Sequence, residues 1–239
     1  MIELREVSKV YRSPLGRPVR AVEGFSLTVA AGEVVGLAGP NGAGKSTIIN
    51  LVLGYLRPTS GSVTIAGRAP RAYVEAEGIG YLSELVAIPP SWTTRSALTR
   101  YAVLSGIPDA AIHARVSDVI ALLGLEEHAR KKARQLSKGT LQRLGLAQAL
   151  LRDEDVLILD EPAHGLDPTW TLRFRDLMRE LRRPGRAILL VSHSLDELER
   201  TADRVAIMHR GELRRVVEVD PERPSLERHF REVTAEGAA

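Results

Sequence analysis

Three short stretches carry side chains that could do chemistry together. Gly39-Pro-Asn41-Gly42-Ala43-Gly44-Lys45-Ser46-Thr47 satisfies G-x-x-x-x-G-K-[ST]. Its glycines let the backbone curl and aim N–H groups at phosphate oxygens, while the helix N-terminus that follows adds positive potential. In that setting Lys45 bridges the terminal phosphates of a nucleotide, the Ser46 hydroxyl binds Mg²⁺, and Thr47 supplies further hydrogen bonds to phosphate. Val156-Leu-Ile-Leu-Asp160-Glu161-Pro162 is an apolar run ending in two carboxylates. Asp160 is suited to hold the magnesium shell and Glu161 to orient and polarise an attacking water. The third stretch, Val191-Ser-His193, follows the apolar run Ala187-Ile-Leu-Leu. It brings an imidazole to the C-terminal edge of a strand, where open α/β sheets place ligands and where the ring can meet the γ-phosphate and the water.

These groups work together only if the elements around them deliver them to one edge. Ile2 to Tyr11 and the segment from Ala21 to Ala38 alternate short apolar runs with turn signals such as Ala31-Gly32. That pattern predicts antiparallel strands leading into a buried strand over Val34 to Ala38. Ser46 to Leu56 has apolar residues at helical spacing and stops before Arg57-Pro58, which gives a strand, loop, helix unit. Ser62 to Arg68 and Glu77 to Ser83 read as further strands. From about Ser91 the pattern is helical in three segments, the last opened by Leu136-Ser137-Lys138-Gly139-Thr140. Strand and helix alternation resumes at Asp155 and runs to about Gly211. Strand–helix alternation on both sides of a helical block indicates an α/β chain with a parallel sheet core, an N-terminal antiparallel β subdomain and a helical subdomain inserted at about 90–150. The single domain is expected to span 1–215, with a short C-terminal tail and helix over 216–239.

Composition narrows the partners. The chain has 239 residues, 44% hydrophobic and 26% charged, which is ordinary globular usage. No apolar run approaches the roughly 18 residues needed to span a bilayer, and the start MIELREVSKVYR is charged where a signal peptide needs an apolar core. A cytoplasmic location is expected. The absence of cysteine excludes disulfides and thiolate metal sites. A net charge of +3 does not imply nucleic acid binding, and the basic cluster Ala129 to Arg134 reads as a solvated helix face or a partner or lipid contact.

In order along the chain, GPNGAGKST, LSKGTLQRL, VLILDEP, GLDP and VSH resemble the nucleotide-binding subunit of an ABC transporter, and the similarity runs from about Ile2 to Leu213. A GTPase would carry a guanine-reading Asn-Lys-x-Asp, which is absent, and small-molecule kinases lack the helix opened by the second motif. The resemblance implies a P-loop NTPase with a RecA-like core that hydrolyses ATP with Mg²⁺. It also implies that the signature loop, here Ser137-Lys138-Gly139-Thr140, closes over ATP held by the phosphate loop of a second copy or a homologous ATPase subunit. Ser137 and Gly139 match the family pattern; Lys138 and Thr140 depart from it. Ser137 also suits a simple helix cap.

Further assignments follow from the same resemblance. Tyr11 corresponds to the aromatic that stacks on adenine, although a tyrosine there also suits a core. Glu84 stands where the family has a glutamine and is still able to reach magnesium or its water. Asp167, in Gly165-Leu-Asp167, belongs to the loop that speaks across the dimer, and His164 replaces a commoner Ser or Asn and is expected to be a tolerated surface residue. Glu84, the Ser-Lys-Gly signature and the tail Ser225 to Thr234 look most like the exporter branch, whose ATPase pairs with a separate membrane permease and sits on the inner face of the cell membrane. Cargo in that branch ranges from drugs and lipids to copper-site and respiratory-enzyme maturation. The permease is expected to meet Glu84 to Thr94, where Ile88-Pro-Pro-Ser-Trp92 forms a stiff apolar segment. A soluble ABC ATPase acting on ribosomes or DNA, and a regulatory ATP-binding module, are the alternatives. The first usually has two such domains or a coiled-coil insertion, neither of which occurs here; the second fits poorly with intact Lys45, Asp160, Glu161 and His193.

Overall fold

The computed structural model describes residues 1–12, 16–220, 222 and 225–236. In chain order its elements are β1 (Ile2–Tyr11), β2 (Val19–Val29), β3 (Val34–Ala38), α1 (Lys45–Val52), β4 (Ser60–Ile65), α2 (Pro70–Ala76), β5 (Gly80–Leu82), α3 (Thr94–Leu104), α4 (Asp109–Leu122), α5 (Lys138–Ala149), β6 (Val156–Asp160), α6 (Pro168–Leu181), β7 (Ala187–Val191), α7 (Leu195–Thr201), β8 (Arg204–His209), β9 (Glu212–Glu218) and α8 (Leu226–Glu236). The apolar runs of β3, β6 and β7 become strands buried on both faces, as parallel strands between two layers must be. They form the middle of a six-stranded sheet of order β5-β6-β7-β3-β8-β9, parallel except for the β8–β9 hairpin. A separate antiparallel sheet has the order β2-β1-β4.

Alternation along the central strands divides the core. Val35, Leu37, Ile158 and Leu189 face α1 and the antiparallel sheet. Leu157, Leu159, Ile188, Leu190 and Ile207 face the other way, toward α6, α7 and the helical block α3–α5. The sheet is thus a middle layer, and both layers hold its C-terminal edge rigid.

Local differences from the sequence pattern have physical causes. The helix after the glycine loop ends at Val52, not Leu56, because the amides of Tyr55 and Leu56 both turn back to the Asn50 carbonyl. Helix α2 escaped the periodicity because it is short and largely exposed; Pro70 at its first turn was the available signal. Strand β9 also escaped it, being an edge strand whose sequence, Glu-Leu-Arg-Arg-Val-Val-Glu, does not alternate, and it carries the sheet through the expected boundary at 215. Beyond it, α8 packs Leu226 and Val233 into the core, with the Glu199 carboxylate accepting from the Ser225 and Leu226 amides. Part of the expected tail, including 237–239, lies outside the described residues.

Candidate functional site

Strands β6, β7 and β3 are adjacent and parallel, so their C-terminal ends open at one edge. With strands about 4.8 Å apart, whatever follows the three ends lies within one ligand's length. The glycine loop follows β3, Asp160 ends β6, and Ser192 and His193 follow β7. The result is a cleft of about 280 Å³ lined by Asn41 to Thr47, Glu84, Asp160, Glu161 and His193. Glu84 arrives from just beyond β5, the strand beside β6.

The loop is held in shape by its own chain. Gly44 has φ +106° at the N-cap of α1, and a Cβ there would lie 2.5 Å from the Ala21 carbonyl oxygen, so only glycine fits. Lys45 Nζ donates to the Gly39 carbonyl at 2.7 Å and the Pro40 carbonyl at 3.2 Å. Burial pulls its ammonium below the usual lysine range, against the pull of Glu161, Asp160 and Glu84. Ser46 is exposed at the mouth, while Thr47 is buried with its hydroxyl 3.4 Å from the Tyr11 hydroxyl. Tyr11 therefore stands beside the loop with 41% of its surface exposed, outside the core and outside the lining of the phosphate cleft.

The two carboxylates differ more than strand alternation alone would make them. Asp160 ends the strand, and its pKa is raised to about 6 by burial first and then by the Glu161 and Glu84 charges. Glu161 leaves the strand in the left-handed region, φ +51°, a conformation that costs a non-glycine residue about 1–3 kcal/mol. The surroundings hold it there. Its amide donates to the Val191 carbonyl at 2.8 Å, and its carboxylate accepts from the His193 amide at 2.7 Å and the Ser192 hydroxyl at 3.1 Å. His193 Nδ1 lies 2.8 Å from Glu161 Oε2 and, facing a carboxylate, carries the proton. From behind, Gln142 of α5 donates to the Glu161 carbonyl at 2.9 Å. Neither Gln142 nor Ser192 was singled out in the sequence; their positions beside recognised motifs were the only signal.

An oxygen-only set of Ser46, Asp160 and Glu84 beside a glycine loop suits a hard cation such as Mg²⁺. The raised pKa of Asp160 records burial first and then repulsion from Glu161 and Glu84, and such a cation would relieve the repulsion. Among the described residues no three His, Asp or Glu side chains form a cage, consistent with an ion held largely by phosphate oxygens and water.

The signature residues lie elsewhere. Ser137 to Thr140 do not line this cleft. Ser137 caps α5, its Oγ accepting from the Thr140 amide at 3.2 Å, so the cap reading holds whatever else the residue does. Thr140 is buried, and its hydroxyl meets Ser137 Oγ at 2.8 Å and accepts from Arg143 at 3.3 Å. The side chain of Thr140 is therefore committed inside its own chain. Arg143 is itself buried, donates to the Leu123 and Gly124 carbonyls and stacks over Trp170 at 4.1 Å; burial lowers its pKa. Asp167 caps α6 by accepting from the Trp170 amide at 2.9 Å. His164 lies at the surface, as expected. It also contacts Lys138 Nζ through Nε2 and lies beside the His193 ring.

Residues 22–164 match the family model described as ABC transporter. An uncharacterized ABC transporter ATP-binding protein of Nostoc sp. is 39% identical over 212 residues, covering 87% of this chain and 63% of that protein. A Nod factor export ATP-binding protein I of Burkholderia lata is 36% identical over 222 residues, covering 92% and 71%. A methionine import ATP-binding protein of Thermobifida fusca is 38% identical over 218 residues, covering 88% and 68%. The chain spans less than two thirds of the length of the first two curated relatives it matches, 63% and 61%. A solved ATP binding subunit of an ABC transporter superposes with a TM-score of 0.85 at 28% identity, covering 98% of this chain and 99% of that one. A dimeric post-hydrolysis ATP-binding cassette bound to ADP and Pi has a TM-score of 0.83 at 23% identity, covering 92% and 99%, and shares the fold.

Proposed function

The chain belongs to the ABC transporter family, and from that premise we propose that it is an ATP-hydrolysing subunit that works as a head-to-tail pair around two ATP molecules. The observation that carries the reading is the separation of the two halves of the site. Lys45, Asp160, Glu161 and His193 meet in one cleft, while Ser137 to Thr140 of the same chain stand outside it. A second copy supplies the missing half. The dimeric relative with ADP and Pi supports such a pair.

In this reading the loop amides and Lys45 hold the β- and γ-phosphates, and Tyr11 stacks on the adenine. Ser46, Asp160 and Glu84 hold Mg²⁺, which neutralises charge on the phosphates. Glu161 takes the proton of the attacking water as the water oxygen bonds to the γ-phosphorus. The bond from that phosphorus to the bridging oxygen breaks, and ADP leaves with the electron pair. His193 holds the Glu161 carboxylate in place and meets the γ-phosphate. The in-trans anion site is the N-terminus of α5, with the Lys138 and Gly139 amides and Ser137. Asp167 stands at the dimer contact.

Transport is the work this hydrolysis drives, with ATP binding closing the pair and hydrolysis resetting it. The partner is an integral permease docking on the segment after Glu84, which holds the chain at the inner face of the membrane. Leu85 is 80% exposed there and Leu104, at the end of α3, 79%. Trp92 packs edge-on to Tyr101 at 6.1 Å, which stiffens the segment against α3. Among the described residues no helix is long and apolar enough to cross a membrane. Glu84 and the Ser-Lys-Gly signature favour export, although the named relatives include both an export and an import protein. The test is steady-state ATPase of Glu161→Gln. Turnover should fall by roughly 10² to 10⁴ with ATP binding kept, and unchanged turnover would remove the assignment.

A further inference from the structure

Two residues that depart from the family pattern, Lys138 and His164, touch each other. The stem of Lys138 lies along Gly165, where a Cβ would be 3.0 Å from Lys138 Cγ and Cδ, and the ammonium ends on His164 Nε2. Beneath the lysine, Gly139 approaches so closely that a Cβ would sit 2.7 Å from the Gly165 carbonyl oxygen. The His164 ring lies 6.0 Å from the His193 ring, centroid to centroid and tilted by 60°, within the range of an aromatic pair. His193 in turn grips Glu161 through both its ring and its amide. These neighbours form a line from the signature loop, through Lys138 and His164, to the ring that holds the catalytic carboxylate.

We propose that Lys138 and His164 form a bridge within one chain that ties the signature loop, part of one ATP site, to His193 and Glu161 of the other. This rests on the two-site reading above. Its physical basis is the close packing of the two segments: Gly139 lies against the Gly165 backbone, and the exposed Lys138 lies along Gly165 and ends on His164. A displacement of the α5 N-terminus passes to the 163–165 segment through this packing and the Lys138–His164 contact, and His164 passes it to the ring that positions Glu161. Occupation of one site by ATP thereby alters the attitude of the general base in the other. The Lys138 side chain is a positioning group here and not a phosphate ligand, whatever its backbone amide does. His164, although exposed, is a second positioning residue acting through His193.

The experiment measures ATP hydrolysis by the full chain against ATP concentration for the parent, Lys138→Met, His164→Ala, the double variant and His164→Gln, with thermal melts on each. The parent should give a Hill coefficient approaching about 2, the number of sites. Lys138→Met and His164→Ala should each bring it to about 1, the uncoupled limit, and the double variant should go no further. His164→Gln keeps an acceptor at the reach of Nε2 and should restore cooperativity, which a merely structural role would not require. A parent coefficient of about 1, or His164→Ala with the parent's coefficient, would overturn the bridge. So would Lys138→Met weakening ATP-driven dimerisation while His164→Ala leaves it intact, because Lys138 would then be reaching phosphate in the partner. Failure of the underlying reading is separately visible as an undiminished rate in Glu161→Gln.

Discussion

The phosphate cleft and the α5 N-terminus are built in different ways, although each is proposed to form half of an ATP site. The cleft is assembled by adjacency. Three parallel strands fix its loop, Asp160 and His193, and Glu161 is held in a left-handed turn by its own amide donating to Val191 and by its carboxylate accepting from Ser192 and His193. The α5 N-terminus is assembled by internal bracing: Ser137 and Thr140 bond to one another, Arg143 anchors Thr140, and Trp170 backs Arg143. One region carries catalytic groups; the other offers a braced helix end that carries no catalytic group of its own. The lesson is that polar side chains near a motif serve two ends, and the hydrogen-bond partners tell them apart.

Variants can break this contrast. The largest effect is expected for Glu161→Gln, a loss of roughly 10² to 10⁴ in turnover with ATP binding retained. Next is Lys45→Ala, which removes a charge-assisted contact worth about 1.5–3 kcal/mol and should weaken ATP binding roughly 10- to 150-fold by titration calorimetry. Against the second region, Trp170→Ala takes the ring from a buried guanidinium and should cost about 2 kcal/mol of stability in denaturant melts. A nucleotide affinity unchanged in the isolated Trp170→Ala chain would sharpen the contrast. Ser137→Ala should cost about 1 kcal/mol through the lost cap, and a second loss should be seen only in ATP-driven pairing.

The smallest effect is a pH dependence with opposite signs in the two states. The folded Asp160 pKa of about 6 lies above its ordinary 3.8, so its stabilising contribution is present below the ordinary value and lost as pH rises through 6. The nucleotide-free chain should therefore gain stability on acidification across this window relative to Asp160→Asn. Binding of Mg²⁺ needs the carboxylate, so the stabilisation conferred by Mg²⁺ and ATP should shrink over the same window. Melts at pH 7 and pH 5 on both proteins check the two slopes.

The cleft was legible because its parts are spelled in contiguous residues, and apolar runs say plainly which strands are buried. Which strands lie side by side is a matter of topology, and motif order suggested it only through resemblance. The left-handed turn at Glu161 and the buttress from Gln142 were not legible, since both arise from contacts about 20 to 30 residues away in sequence. His164 shows the limit most clearly. The sequence marks it only as a surface residue, and only the approach of Lys138, 26 residues earlier, gives it a partner. Strand β9 and helix α2 were missed for a simpler reason: both are short and polar on their outer sides.

The central claim, that one chain holds half of each of two sites, is tested most directly by the mass of Glu161→Gln in solution. With ATP and Mg²⁺ it should run by light scattering as a dimer, and without nucleotide, or with Lys45→Ala added, as a monomer. A variant that binds ATP and Mg²⁺ yet stays a monomer at high concentration would contradict it.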